Sequence, residues 1–255
     1  MSRVLAVVLA SAMAIAVAGC GSSSDDSTGS GGGQVIVSAA SSLEPAFTAY
    51  ADEAGIDAKQ SFAGSDDLAA QIRQGVRPDV YAAADVSLPA GLHGDGLVAK
   101  PVPFATNTLV VGVPPGSAIS SLGDLAAPGT KVAIGDVGVP AGDYAREVIA
   151  RLPEAESAAI LGNVRSKEPD VSGIAGKITQ GAVDAGFVYI TDVRASGGAL
   201  EAVPIPPRLQ PQVTYGVAAV NDDPNPAGAK AFIAGLLHGD GAGALRAAGF
   251  GPPPG

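Results

Sequence analysis

The fold class of this chain can be inferred from the stretch VIVSAASSLEPAF, residues 35–47. Its start, Val35-Ile36-Val37, is short and β-branched, which is typical of a buried strand. The residues that follow place apolar side chains at helical spacing. They are Leu43, Phe47, Tyr50, Ala51 and Ala54, with Gly55 as a stop signal. A strand that runs through two serines directly into a helix is the start of a β-α unit.

The same alternation continues outward from this stretch and predicts an α/β protein with two series of β-α units. In the first series we expect strands at 58–63 and 79–84, with a helix around Leu68 and Ile72. The apolar run 102–113 predicts a long strand that bridges two lobes. The second series and the closing elements are predicted at 131–135, 142–152, 164, 172–180, 184–189, 212–220, 226–238 and 240–248. If strand 212–220 returns to the first sheet, the lobes are connected twice.

The N-terminus has the layout of a secretory signal. MSRVLAVVLASAMAIAVAGC, residues 1–20, carries one Arg and an apolar run that is too short for a stable membrane span. Its last four residues resemble the lipobox of bacterial lipoproteins, which implies that 1–19 is a signal peptide and that Cys20 receives the lipid. Residues 20–33 then form a flexible linker with a reach of about 20 Å. An ordinary cleaved signal with an incidental Cys is the alternative.

Composition excludes several functional classes. The net charge is −10 and the fifteen basic residues are scattered, which argues against nucleic acid as a partner. Cys20 is the only cysteine, so the folded part has no disulfide, zinc cluster or thiol nucleophile. The only histidines, His93 and His238, have no paired spacing, and no nucleophile-elbow motif is present. We therefore expect a protein that is not an enzyme, with no cofactor and no cation site.

Four strand-to-helix junctions and one tyrosine are the candidate site. The junctions are Ser41-Ser42, Gly64-Ser65-Asp66, 139–142 and 169–172. Helix N-termini expose backbone N–H groups and a positive dipole end, and in open parallel sheets they lie where ligands bind. Tyr189, at the end of a strand, can add a hydroxyl donor. Taken singly, Ser42 and Ser65 are also explained as helix caps, and Tyr189 as a core residue.

Six segments in this order resemble the molybdate-binding proteins of molybdate ABC transporters. They are VSAASSLEPAF (37–47), SFAGSDDLAAQIRQG (61–75), PDVYAAAD (78–85), FATNTLVVGVP (104–114), GDVGVPAGDYAREVI (135–149) and AGFVYITD (185–192). The resemblance covers nearly all of 34–250. The chain departs from the family pattern at Ser41, Gly64 and Asp66.

The resemblance implies a type II-like periplasmic-binding-protein fold with a doubly connected hinge. Each lobe is then a mainly parallel sheet flanked by helices. Lobe 1 comprises 34–107 and 215–250, lobe 2 comprises 108–214, and 251–255 is a disordered tail. The resemblance also implies the ligand set: the hydroxyls of Ser42, Ser65 and Tyr189 and the main-chain N–H groups of Ala141 and Val171.

The ligand implied by the resemblance is molybdate, with tungstate bound about as well. A monomer, lipid-anchored outside the membrane, would deliver it to an ABC transporter permease. Sulfate is the main alternative ligand, and phosphate and ferric iron are weaker ones. Four acidic residues near the junctions are expected to stabilise helix N-termini and to point away from the ligand. They are Asp66, Asp67, Asp143 and Asp170.

Overall fold

The structure is a computed structural model that describes residues 33–254. The predicted signal peptide, Cys20 and nearly all of the predicted linker lie outside the described residues. Residues 33–254 fall within one compact unit. In this part of the chain no helix is both long enough and apolar enough to cross a bilayer.

The described residues contain ten strands and nine α-helices. The strands are β1 (Val35–Ala40), β2 (Ala58–Ala63), β3 (Val80–Ala83), β4 (Val102–Asn107), β5 (Leu109–Val113), β6 (Val132–Gly135), β7 (Val164–Glu168), β8 (Ala185–Tyr189), β9 (Glu201–Pro204) and β10 (Val213–Ala219). The helices are α1 (Glu44–Ala54), α2 (Ser65–Arg73), α3 (Ser87–Gly94), α4 (Pro140–Ala150), α5 (Glu154–Gly162), α6 (Val171–Thr179), α7 (Ile190–Ala195), α8 (Pro226–His238) and α9 (Asp240–Ala248). Short 3-10 segments occupy Ser41–Leu43, Leu122–Ala126 and Pro207–Leu209.

The strands form two sheets of five with matching topology. The orders are β2-β1-β3-β10-β4 in lobe 1 and β7-β6-β8-β5-β9 in lobe 2. β1 is parallel to β2 and β3, whereas β10 is antiparallel to β3 and β4. In lobe 2, β5 is antiparallel to its neighbours β8 and β9, and β6 is parallel to β7 and β8. Four strands of each sheet therefore run the same way, which confirms the prediction of a two-lobed fold with mainly parallel sheets.

Burial follows the position of each strand in its sheet. The central strands β3, β6 and β8 are buried along their whole length and read as continuous runs of small and apolar residues. The edge strands β2 and β7 alternate between partly buried and exposed residues. The carboxyl ends of the parallel strands β1, β2 and β3 in lobe 1 and β6, β7 and β8 in lobe 2 meet the cleft between the lobes from both sides.

The chain crosses between the lobes twice, and the first crossing corrects the prediction of a single long strand over 102–113. β4 pairs with β10 in lobe 1 and β5 pairs with β8 and β9 in lobe 2, so the run is split at Thr108. The Thr108 N–H donates to the side-chain oxygen of Asn107 at 2.8 Å. The Asn107 side chain thus pairs with a backbone N–H that would have bonded to a neighbouring strand if the strand had continued through Thr108.

Two boundaries of the sequence-based division also need correction. Val213 and Thr214, assigned to lobe 2, begin β10 of the first sheet and pair with Asn107 and Thr106. The expected disordered tail starts with ordered residues, because Gly251 and Thr106 exchange backbone hydrogen bonds of 2.9 and 3.0 Å. The Thr106 hydroxyl also donates to the Pro252 carbonyl at 2.9 Å.

Candidate functional site

All four predicted junctions line one small cavity between the lobes. Lobe 1 contributes residues 40–42, 63–65 and 84, and lobe 2 contributes 139–141, 170–171 and 189. The five predicted site residues, Ser42, Ser65, Ala141, Val171 and Tyr189, are all among these lining residues. The lining also includes Ala40, Ala63 and Ala84, whose small side chains leave room for the cavity and carry no polar signal by which the sequence could have indicated them.

Ser65 presents a hydroxyl hydrogen that no described protein group accepts. It begins α2, and its side chain is buried. Its Oγ accepts the backbone N–H of Ala84 at 3.0 Å, and its carbonyl oxygen accepts the Tyr81 hydroxyl at 2.6 Å. The Ser65 side chain makes no other hydrogen bond among the described residues, so its hydroxyl hydrogen is available to a ligand in the cavity.

Ser42 lies in the 3-10 turn between β1 and α1 and is 4% exposed. Its Oγ is 2.8 Å from the hydroxyl oxygen of Tyr215, a residue 173 positions away in sequence. No pattern near Tyr215 indicated this contact, because it depends on β10 returning to the first sheet. The caps proposed as alternative roles for Ser42 and Ser65 are absent, since neither side chain bonds to the first turn of the following helix.

Tyr189 ends β8 and is 1% exposed. Its hydroxyl oxygen is buried and has no hydrogen-bond partner among the described residues. Desolvation by burial raises the pKa of Tyr189 well above its usual range, so the group keeps its proton. A buried hydroxyl without a partner costs about 1–3 kcal/mol. A ligand with acceptor oxygens would remove that cost.

Two helix N-termini in lobe 2 supply backbone donors. Ala141 is the second residue of α4, and the first intrahelical bond of that helix runs from the Asp143 N–H to the Val139 carbonyl. Val171 is the first residue of α6, whose bonding begins at the Ile174 N–H. The N–H groups of Ala141 and Val171 therefore precede the intrahelical ladder and lie at positive dipole ends.

The acidic residues only partly follow the expectation that they point away from the ligand. Asp170 lines the cavity, where its carboxylate caps α6 by accepting the Gly173 N–H at 2.8 Å. Asp66 is not a lining residue, and desolvation raises the pKa of its carboxyl. Asp143 is engaged by the Gly138 N–H at 3.2 Å.

The lining residues include no Lys, Arg or His, so the donors around this cavity are hydroxyl and backbone groups. Within residues 33–254, no group of three or more His, Cys, Asp or Glu residues is arranged to hold a metal ion. Apart from the Asp170 carboxylate, which accepts the Gly173 N–H, the lining therefore offers neutral donors that suit a group rich in acceptor oxygens.

The lobes touch directly beside the cavity. A methyl group on Gly64 of lobe 1 would overlap the backbone carbonyl oxygen of Pro169 in lobe 2. The backbone of Gly64 itself, with φ −58° and ψ 135°, is accessible to any residue. Glycine is thus required at this position because the two lobes approach each other closely there.

Residues 35–251 match the family described as bacterial extracellular solute-binding protein. This chain belongs to that family. The solute-binding chain is also 32% identical over 227 residues to the molybdate-binding protein ModA of Mycobacterium bovis, with 86% of this chain and 85% of the relative covered. The ModA protein of Mycobacterium tuberculosis matches to the same extent. The resemblance drawn from the six motifs is thereby confirmed, as is the prediction of a binding protein rather than an enzyme.

Solved structures of solute-binding proteins share the fold. The periplasmic molybdate-binding protein of Azotobacter vinelandii superposes with a TM-score of 0.74 at 20% identity, covering 86% of this chain and 100% of its own. The sulfate-binding protein SubI of Mycobacterium tuberculosis gives the same TM-score at 18% identity, covering 86% of each chain. At these identities the similarity establishes the two-lobed architecture alone.

Proposed function

We propose that this solute-binding protein captures molybdate in the cavity between its lobes and delivers it to a membrane ABC transporter. The observation that carries the proposal is a lining without cationic side chains, above all the buried Tyr189 hydroxyl that lacks a partner among the described residues. The molybdate-binding names of the relatives that are 32% identical support the same ligand.

The proposed contacts are three hydroxyls and two backbone amides. Ser42 and Ser65 approach from lobe 1, and Ala141, Val171 and Tyr189 approach from lobe 2. Molybdate is a tetrahedral dianion whose four oxygens accept hydrogen bonds and, near neutral pH, donate none. Each charge-assisted hydrogen bond contributes about 1.5–3 kcal/mol, and each helix terminus about 0.3–1 kcal/mol. Since the donors belong to both lobes, ligand binding stabilises the closed arrangement.

Tungstate has the same charge, shape and acceptor pattern, so the proposal includes it as a second ligand of this site. Phosphate near pH 7 carries a proton and needs an acceptor in the cavity. Sulfate also carries no proton, and the shared architecture of the sulfate-binding protein SubI makes it the rival ligand. Cavity size, rather than hydrogen-bond pattern, must then separate sulfate from molybdate.

Export and anchoring complete the proposal. The signal-like segment 1–19 directs the chain out of the cytoplasm, and Cys20 receives the lipid. The Gly/Ser-rich tract that follows has a reach of about 20 Å, which keeps a monomeric binder beside its permease while leaving it free to rotate.

Thermal unfolding of the purified protein tests the ligand class. Molybdate and tungstate should each raise the midpoint, because a ligand at 100 times its Kd adds about 2.7 kcal/mol to folding stability. Sulfate and phosphate at the same concentration should shift it little. Equal shifts for sulfate and molybdate would rule out the ligand assignment.

A further inference from the structure

A chain of hydrogen bonds behind the cavity ends on Ser42. The side-chain nitrogen of Asn107 lies 3.3 Å from the hydroxyl oxygen of Tyr215, which lies 2.8 Å from Ser42 Oγ. The same nitrogen lies 2.9 Å from the hydroxyl oxygen of Thr191. Ser42 lines the cavity, whereas Asn107, Tyr215 and Thr191 do not. The series of hydrogen bonds therefore reaches the cavity at Ser42.

The orientation of the Asn107 amide is fixed by its neighbour. Its side-chain oxygen accepts the Thr108 N–H at 2.8 Å. A backbone N–H is a donor only, so the atom facing it must be the amide oxygen. The amide nitrogen, which only donates, therefore faces Tyr215 and Thr191.

The direction of the next bond follows from that orientation. Tyr215 is fully buried, and desolvation raises the pKa of its hydroxyl well above its usual range, so the group keeps its proton. Its oxygen already receives the Asn107 N–H. If Ser42 also donated to this oxygen, the buried Tyr215 proton would have no acceptor among its described neighbours, which is unfavourable. Tyr215 therefore donates to Ser42 Oγ.

We propose that Asn107 and Tyr215 are positioning residues that force the Ser42 hydroxyl to donate into the cavity, and so select anions that carry no proton. The inference rests on the proposed function, because it assigns specificity to the same site. Ser65 is polarised in the same way: its Oγ accepts the Ala84 N–H, which leaves its hydroxyl hydrogen as the group available to a ligand oxygen.

Asn107→Asp is the direct test, because it keeps the shape of the side chain and reverses the bond directions. One carboxylate oxygen still accepts the Thr108 N–H, and the other now accepts from the Tyr215 and Thr191 hydroxyls. The Tyr215 oxygen then becomes an acceptor for Ser42, whose lone pairs turn toward the cavity. We expect calorimetric titration to show molybdate affinity reduced by about 10- to 100-fold. The ratio of phosphate affinity to molybdate affinity should rise relative to the unmodified protein.

The matched control is the same substitution in a Ser42→Ala background. If Asn107 acts through the Ser42 hydroxyl, adding Asn107→Asp to Ser42→Ala should change molybdate affinity by less than about twofold. An added negative charge acting at a distance would weaken molybdate binding equally in both backgrounds. Thermal unfolding without ligand checks that each variant is folded, and Tyr215→Phe, which removes the intermediate donor, should also lower the molybdate affinity.

The outcomes separate this inference from the proposed function. A reduction confined to the background that retains Ser42, together with the rise in relative phosphate affinity, supports the positioning role. Equal reductions in both backgrounds, or unchanged selectivity, overturn that role and leave molybdate binding by the unmodified protein intact. Failure of the unmodified protein to bind molybdate overturns the proposed function itself.

Discussion

At the scale of single residues, the proposed site depends on three hydroxyl groups. The oxygens of two of them are hydrogen-bonded to other protein groups, and the third has no partner among the described residues. Ser65 and Ser42 each receive a protein hydrogen bond, and the Tyr189 hydroxyl receives none. Each is buried, so bulk solvent has little access to it. In the proposed function, neutral donors hold an anion in a protein whose net charge is −10, because direct contact outweighs surface charges beyond the Debye length of about 8 Å.

Replacing Tyr189 with Phe separates binding from folding. Molybdate affinity, measured by calorimetry, should fall by about 10- to 100-fold, because the variant lacks one hydrogen bond to a charged ligand. The free energy of unfolding without ligand should not fall, because the lost hydroxyl has no protein partner.

Tyr50→Phe is the matched control. The Tyr50 hydroxyl donates to the Phe232 carbonyl at 3.1 Å in the core of lobe 1. Its loss should lower the free energy of unfolding by about 1 kcal/mol and leave affinity unchanged. A Tyr189→Phe variant that binds normally would show that Tyr189 is a core residue only.

At the scale of secondary-structure elements, much of the fold is predictable because apolar residues recur in the sequence with the spacing of strands or of helices. The β1 to α1 unit follows directly from its β-branched start, its helical spacing and Gly55, which adopts φ 62° at the end of α1. α5 and α7 escaped prediction for physical reasons. In α5, Ile160 is the buried residue of an otherwise partly exposed helix, and α7 has only six residues. The break at Thr108 escaped because it depends on pairing with two different sheets.

Gly64 precedes α2 at the point where the two lobes meet. A substitution at Gly64 therefore tests whether close contact between the lobes is needed for the cleft to close around a ligand. Gly64→Ala should lower molybdate affinity by about tenfold or more, because overpacking typically costs 1–3 kcal/mol. Small-angle scattering should show less compaction on adding molybdate. Gly94→Ala in α3 faces open space and should behave like the unmodified protein. Full compaction of the Gly64→Ala variant would mean that contact with Pro169 does not limit closure.

Asp192 in the first turn of α7 predicts a pH dependence of stability. Its carboxylate accepts the Tyr189 N–H at 2.8 Å, and desolvation, with a smaller contribution from Asp170, raises its pKa to about 7. The unfolded value is about 3.9, so between these values the folded state binds more protons. The free energy of unfolding should therefore fall as pH rises from about 5 to about 7, by up to about 1.4 kcal/mol per pH unit.

Chemical denaturation at a series of pH values measures this dependence. The slope should be reduced in Asp192→Asn, which cannot titrate. Asp66 and Asp85, whose pKa values are also raised by burial, leave a residual slope of the same sign. An identical slope in the unmodified protein and in Asp192→Asn would exclude Asp192 as its source.

At the scale of the whole molecule, the sequence motifs predicted the five lining residues but not the network behind them. Ser42, Ser65, Ala141, Val171 and Tyr189 each sit at the end of a strand or the start of a helix, where position implies exposure to the cleft. Tyr215 and Asn107 have no such local signal. Their contacts arise only when the chain has crossed between the lobes twice, so a long-range topology had to be known first.

The tether is tested by removing its attachment point. Cys20→Ala should move the protein from the membrane fraction to the soluble fraction of export-competent cells, while molybdate binding stays unchanged. Ser22→Ala, two residues away, is the matched control and should stay with the membrane. A Cys20→Ala variant that remains membrane-bound would contradict lipid attachment at this residue.

Calorimetric titration of the purified protein with molybdate, alone and in the presence of excess sulfate, measures molybdate binding by the cleft directly. The proposed site predicts one molybdate per chain and, because cavity size must favour molybdate over the smaller sulfate, an apparent affinity that sulfate reduces only slightly. No heat of binding with molybdate, or complete displacement of molybdate by an equal concentration of sulfate, would contradict the account.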